Sequence, residues 1–301
     1  FAVLLSYLVL VAKFESWRKP LAVLLPSALA VAGGALASAA FVLANEGARL
    51  ESLCITNREY SSAAVSMTAG GVVSNVWVRD DGKQPVNGYS YASASGAGFR
   101  CNSEKGRITH CVASGFDYRA KNTSGAALYL GAGVCENSLF VDNAGVSGAG
   151  ASVGAKGVLR NCTFVGNRAT QSGGGVYVVK GAQVVNCIAY GNSADNDTGA
   201  GRPEWGAAGD VVLEETFVNC CFGPDVPVGT DPIPYDPAFD TSDKATEPYH
   251  LSSASKCINA GLDYDGMAAT DLAGFTRHSG KRVDVGCYEM KGTSGFLLLV
   301  R

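Results

Sequence analysis

Gly157-Val158-Leu159-Arg160-Asn161-Cys162-Thr163-Phe164-Val165-Gly166-Asn167 is one copy of a block that recurs along most of this chain. Aligned on the central Asn, earlier copies are Leu50-Glu51-Ser52-Leu53-Cys54-Ile55, Val73-Ser74-Asn75-Val76-Trp77-Val78, Ile108-Thr109-His110-Cys111-Val112-Ala113 and Cys135-Glu136-Asn137-Ser138-Leu139-Phe140. Later ones are Val184-Val185-Asn186-Cys187-Ile188-Ala189 and the looser Phe217-Val218-Asn219-Cys220-Cys221-Phe222. The first position is apolar in every copy, the fourth small or apolar, the sixth apolar. Alternation along a flat strand would send the first and fourth positions to opposite faces. Both point inward only if the chain bends between them. The third position holds Asn in five of the seven copies, with Ser52 and His110 in the other two. Asn, and to a lesser degree His, tolerates the left-handed conformation that most side chains avoid. The block therefore reads as two short strands meeting at a corner of a parallel β-solenoid.

A second block precedes each copy: three small residues, then apolar-any-apolar. It runs from Ser38-Ala39-Ala40-Phe41-Val42-Leu43 through Gly125-Ala126-Ala127-Leu128-Tyr129-Leu130 and Gly173-Gly174-Gly175-Val176-Tyr177-Val178 to Gly206-Ala207-Ala208-Gly209-Asp210-Val211. Successive starts lie 23 to 34 residues apart, the period of a stacked array. The drift in spacing places variable loops at one corner while the strands stay in register. This gives six to seven coils over residues 38–222.

Composition agrees. The chain has 301 residues, 38 Gly and only 17% charged residues, which suits many tight turns and a solenoid that grows linearly. Net charge is −3 with no basic cluster, so nucleic acid is excluded as a partner. Ten Cys are present. Cys111, Cys162 and Cys187 share the inward fourth position, with Ser138 between the first two. Coils stack about 4.8 Å apart, so Cys162 and Cys187 are near enough to pair. The same column also accepts Leu53, Val76 and Ser138, which favours a ladder of small buried thiols. No CxxC pair supports zinc.

Residues 1–37 are an apolar N-terminal segment with Lys13, Arg18 and Lys19 ahead of Leu21 to Ala32. A charged stretch, an apolar run and small residues are the grammar of a secretory signal. A membrane anchor, a cap on the first coil and a non-native stretch are the other readings. After Cys221 five prolines fall between Pro224 and Pro237, a density that argues against central strands. Residues 223–290 are a Pro-rich wrap and an irregular C-terminal cap, and 291–301 a tail.

The tail of the repeat region carries further motifs: Asp236-Pro237-Ala238-Phe239, Tyr249-His250-Leu251-Ser252, Ser255-Lys256-Cys257-Ile258-Asn259-Ala260-Gly261, Asp271-Leu272-Ala273-Gly274-Phe275-Thr276-Arg277 and Val283-Asp284-Val285-Gly286-Cys287-Tyr288-Glu289. Together with the coils they resemble the bacterial right-handed parallel β-helix proteins of the pectin-lyase-like superfamily, of the polymorphic-outer-membrane-protein-like and choice-of-anchor type. The resemblance covers about residues 38–290. It implies an all-β, right-handed parallel β-helix, secreted or displayed on a bacterial envelope. It also implies that Arg277, Asp284 and Glu289 form a buried clamp that fixes the cap.

The superfamily includes polysaccharide lyases and glycosidases. A glycosidase needs two carboxylates about 5 to 9.5 Å apart. Asp80 and Asp142 share one column two coils apart, Asp81 adjoins Asp80, and Arg160 lies in an outward column. These are the candidate catalytic residues. The plainer reading is that such Asp residues serve turns, as Asn143, Asn167 and Asn192 do one column on. Candidate ligand-binding residues lie on loops: Tyr89, Tyr91, Tyr118, Arg119 and Trp205, aromatic groups beside charges as on a sugar-contacting surface. Asn75, His110, Asn137, Asn161 and Asn186 are assigned to the bend. No cofactor is implied. Calcium is the one metal left open, through Asp263-Tyr264-Asp265-Gly266, which begins a calcium loop without completing it. The expected protein is a monomeric, non-catalytic surface solenoid for adhesion or binding of a polysaccharide or host-surface ligand, with membrane association through its N-terminal segment as an option. The competing expectation is a polysaccharide lyase or glycoside hydrolase.

Overall fold

The computed structural model describes residues 41–57, 63–80, 95–118, 124–195, 204–207, 213–225, 227, 229–241, 248–278 and 280–290. The chain there is built of short parallel strands, with an α-helical turn at Leu213–Thr216 and a 3-10 turn at Gly223–Asp225. The second sequence block forms one side of the solenoid. Its first apolar positions stack as Phe41, Val65, Phe99, Leu128, Ala151 and Val176. On the last coil the partner of Val176 is Trp205, four residues ahead of the Gly209 that the sequence copy puts in this column, because the bulky Trp205 and not a glycine supplies the apolar side chain there. The opening of the first block forms the next side, stacked as Leu50, Val73, Ile108, Cys135, Leu159, Val184 and Phe217. A third side follows the bend, and a return side is made by Ala144–Ser147, Arg168–Ser172 and Ser193–Ala194.

The stack makes about five turns, fewer than the six to seven counted from sequence copies. Among the described residues the return-side pairings span the coils from Asp117 to Ala194. Residues 1–37, with their signal, anchor and cap readings, lie outside the described residues. Among those described, no helix is long and apolar enough to cross a membrane.

The bend column has one backbone geometry throughout. Ser52, Asn75, His110, Asn137, Asn161, Asn186 and Asn219 all lie at φ between 47° and 55°. The next inward position explains its cysteines. The Cys162, Cys187 and Cys220 thiols each donate to the carbonyl two residues back, at 3.3 Å, and Ser138 Oγ does the same at 2.7 Å. The carbonyls of Glu136, Arg160, Val185 and Val218 already accept the N–H of the neighbouring coil's bend residue, so a short side chain carrying one donor fills their second lone pair. All ten cysteines are free thiols, Cys135 and Cys162 lying 4.0 Å apart. Burial pushes Cys111 and Cys220 up to about 12, which holds them neutral.

A second corner is held by a buried amide ladder. Asn143 Nδ2 donates to Asn167 Oδ1, and Asn167 Nδ2 to Asn192 Oδ1, each at 2.9 Å. Asn192 in turn donates to Glu204. Each Nδ2 also reaches a strand carbonyl, of Ala113, Phe140 or Phe164. Phe140 and Phe164 stack inside this corner, centroids 5.1 Å apart and 9° from parallel.

Residues 248–290 do not sit on an end of the solenoid. They form a strap along its flank, over the bend and the third side. Ala260 O meets Asn219, Leu262 meets Asn186, and Asp284 O meets Asn161. Thr270 O meets both Asn137 and His110. The strap thus runs back across five successive coils. Leu251, Val285, Cys287 and Tyr288 pack its inner face on Ile188, Leu139 and Val141.

Candidate functional site

The strap decides the role of most of the bend residues. Asn186 pairs with Leu262 as a strand would, donating to its carbonyl at 2.8 Å and accepting its N–H at 2.7 Å. Asn161 donates to Asp284 O at 3.1 Å and accepts from Tyr264 Oη at 3.0 Å. His110 Nε2 lies 3.0 Å from Thr270 O, which requires the proton on Nε2 and leaves Nδ1 to accept from Thr109. Asn75 and Ser52 have the same backbone but face solvent.

Arg277 is fully buried and is the centre of the strap. Its guanidinium donates to Glu289 Oε1 at 2.8 Å, to Gly286 O at 2.9 Å and to Asn137 Oδ1. The fork shape of Arg suits three acceptors in one plane. Asp284 supports it from the backbone side. Its N–H donates to Glu289, and its carboxylate accepts from Asn259 and Met290. Asp271 accepts from Phe275 and Glu289. Of these three buried carboxylates, Glu289 pairs directly with the guanidinium, while Asp284 and Asp271 accept backbone N–H groups around it. Burial holds the Glu289 carboxyl at about 7, against the pull of Arg277 and with the push of Asp284. Asp284 is raised as well, again chiefly by burial.

The candidate catalytic residues are only partly brought together. Asp80 and Asp142 do share one column, since Arg79, Ser114 and Val141 stack directly before them. Two coils separate them, about 9.6 Å of backbone. Asp142 is a corner residue at φ 53°, where neighbouring coils carry Gly115, Gly166 and Gly191 at φ 67° to 78°. Partial burial raises its carboxyl. Arg160 lies on the other side of the bend, its guanidinium 4.4 Å above the Tyr264 ring of the strap. It does not join the Asp80–Asp142 column. Asp81 lies outside the described residues.

Of the candidate ligand-binding residues, Tyr89, Tyr91 and Arg119 also lie outside the described residues. Tyr118 is a core residue, 2% exposed beside Phe116, so it is not on a binding surface. Trp205 packs edge-on against Phe217 at 5.6 Å. Both aromatics read as surface groups because their loops are polar. Their backbone, however, joins the stack. Among the described residues no group of three or more His, Cys, Asp or Glu side chains is placed to hold a metal ion. Asp263 lies 3.9 Å from His278.

A groove of ligand size lies elsewhere, at the corner between the first two sides. Its volume is about 760 Å³ and it opens widely to solvent, within the roughly 300–1,000 Å³ usual for ligand clefts. Tyr129 and Asn102 line it, with Glu46, Glu104, Lys105 and Lys156 at the rim. The strand Phe99–Thr109 has 11 residues where Leu128–Glu136 has 9. The two extra residues bulge out as register shifts around Asn102, and the bulge is the groove's wall. Gly131 keeps it open: a Cβ there would lie 2.6 Å from Asn102 Oδ1 and 3.1 Å from the Tyr129 ring. Arg100 lies 5.7 Å over the same ring. Lys105 pairs with Glu46 at 2.5 Å, and Lys156 pairs with Glu104. The groove is therefore polar, near-neutral and floored by one aromatic. The sequence signal for it was small: two additional residues between blocks, in a chain whose other loops vary by ten.

No known family model, curated protein or solved structure matches this chain. The parallel solenoid is established by its geometry, and its function has to be read from the surface it presents.

Proposed function

We propose that the protein is an exported, non-catalytic surface solenoid that binds glycan in the groove around Tyr129, in the manner of the pectin-lyase-like β-helix surface proteins it resembles. The observation that carries this reading is the groove's composition. A single aromatic ring flanked by an amide and by charges held in mutual pairs offers a stacking face and directional hydrogen bonds with no net charge. Such a surface suits a polyhydroxylated, neutral ligand better than an anion or a lipid. The rigid coils on either side keep Tyr129 and Asn102 preorganised.

The test is a titration of a neutral and acidic oligosaccharide panel against the whole chain, followed by calorimetry. Binding weakened at least about tenfold by Tyr129→Ala, a loss of about 1.4 kcal/mol, is the expected result. Binding to no member of the panel, or binding indifferent to that change, would sink the reading. A hydrolase is the second reading, favoured by one observation: Asp142 shares the Asp80 column and has a raised carboxyl, as a general acid requires. New reducing ends that disappear in Asp142→Asn would establish it.

A further inference from the structure

The strap covers only part of the strip on which it lies. The outward column of the third side runs Cys54, Trp77, Val112, Leu139, Thr163, Ile188, Cys221, one residue per coil. Beneath the strap it is sealed: Leu139 is 5% exposed, Thr163 1% and Ile188 1%. Beyond it Trp77 is 56% exposed and Cys54 is exposed too. The bend column changes at the same place. His110, Asn137, Asn161, Asn186 and Asn219 all bond to strap backbone or side chains, whereas Asn75 and Ser52 face solvent. The unit that holds the strap, a left-handed Asn beside an outward apolar side chain, recurs at Asn75 and Trp77, and a left-handed Ser52 beside Cys54 follows on the next coil.

We propose that these two coils, at Ser52–Cys54 and Asn75–Trp77, dock an extended polypeptide segment of a partner protein, in line with the strap. The Asn75 carboxamide would take one backbone amide, as Asn186 takes Leu262. An apolar side chain would lie on Trp77 and Cys54, as Leu272 and Ala273 lie among Val112, Leu139 and Val141. Main-chain bonds supply affinity and alternate side chains specificity in such recognition. Continuity with the covered interface selects peptide over glycan here. In every covered coil from Asn137 to Asn219 the carboxamide meets peptide groups. An exposed Trp in a continuous apolar column is otherwise a liability on a surface.

The probe is a fluorescein-labelled peptide with the sequence of residues 268–277, the strap section that meets His110 and Val112. Anisotropy is read against the full chain. Saturable binding is expected, weakened at least about tenfold by Trp77→Ser and by Asn75→Gly, and unchanged by Tyr129→Ala, which separates this strip from the groove. Neither change touches the core, and circular dichroism and melting check that both variants fold. No binding up to about 1 mM overturns the proposal. So does binding indifferent to Trp77→Ser, since the peptide would then be displacing the native strap. Oligosaccharide binding that requires Trp77, without peptide binding, also overturns it.

Discussion

Asn75 and Asn186 hold the same left-handed backbone, at φ 53° and 54°, yet Asn75 faces solvent and Asn186 is fully buried beneath the strap. The two ends of one solenoid therefore use one residue type for different purposes. On the bare coils Asn answers only the backbone angle of the corner. On the covered coils its carboxamide also stands in for a strand partner and ties down the strap, residues 248–290, which forms no regular strand. A repeat column can thus look uniform while its energetics change along the stack.

The largest effect should come from the centre of the strap. Arg277→Met at pH 8 leaves Glu289, Asn137 Oδ1 and Gly286 O without their buried donor. Removing one side of a buried, hydrogen-bonded ion pair costs about 3–5 kcal/mol. Hydrogen exchange should show protection lost across the strap and from Asn137 to Asn219, and retained at Leu50 and Val73. Uniform loss along the whole solenoid would mean that the two regions are one cooperative unit, and the comparison would fail.

A smaller effect is tied to pH. Glu289 has an ordinary value of 4.5 and is held at about 7 in the fold. A raised value means that the folded state binds the proton more tightly. The stabilisation is therefore complete below 4.5 and is lost as pH rises through 7. Asp284, also raised, acts in the same direction. Strap protection should fall by up to about 3 kcal/mol between pH 5 and 8, and Glu289→Gln should flatten that slope. Protection of the bare coils should not follow. A strap that tightens as pH rises would show that Arg277 governs Glu289 instead.

Much of the fold was legible because a left-handed corner leaves a compositional trace. Few residues accept φ near 50°, so a column of Asn, Ser and His marks a bend, and the apolar positions around it then fix register. The cysteine column was legible as small and buried, although its bond to the carbonyl two residues back is visible only in three dimensions. The strap's path was not legible. Its contacts join carboxamides to main-chain groups, which every residue carries, so they leave no pattern in sequence. The groove was hidden for a related reason: a two-residue bulge and the bare Cα of Gly131 create it, and neither looks unusual in a chain so rich in Gly. Arg160 was misleading because a charged outward residue reads as available, whereas Tyr264, more than one hundred positions on, lies over it.

The finest division of the comparison uses a single substitution at two sites. Gly accepts the left-handed backbone without strain, so Asn→Gly keeps the corner and deletes only the carboxamide. At Asn75 that removes a solvated group, and the cost should be a few tenths of a kcal/mol. At Asn161 it strands Asp284 O and Tyr264 Oη in a buried interface, and each lost partner costs about 1–3 kcal/mol. Val at either site adds the strain of a Cβ in the left-handed region, about 1–2 kcal/mol. The difference between Asn161→Gly and Asn75→Gly, read from urea midpoints at equal slope, thus isolates what the strap adds to a corner that the backbone already requires. If the two variants melt alike, Asn161 is a bend residue and nothing more, and the strap is held by its apolar side chains and Arg277 alone.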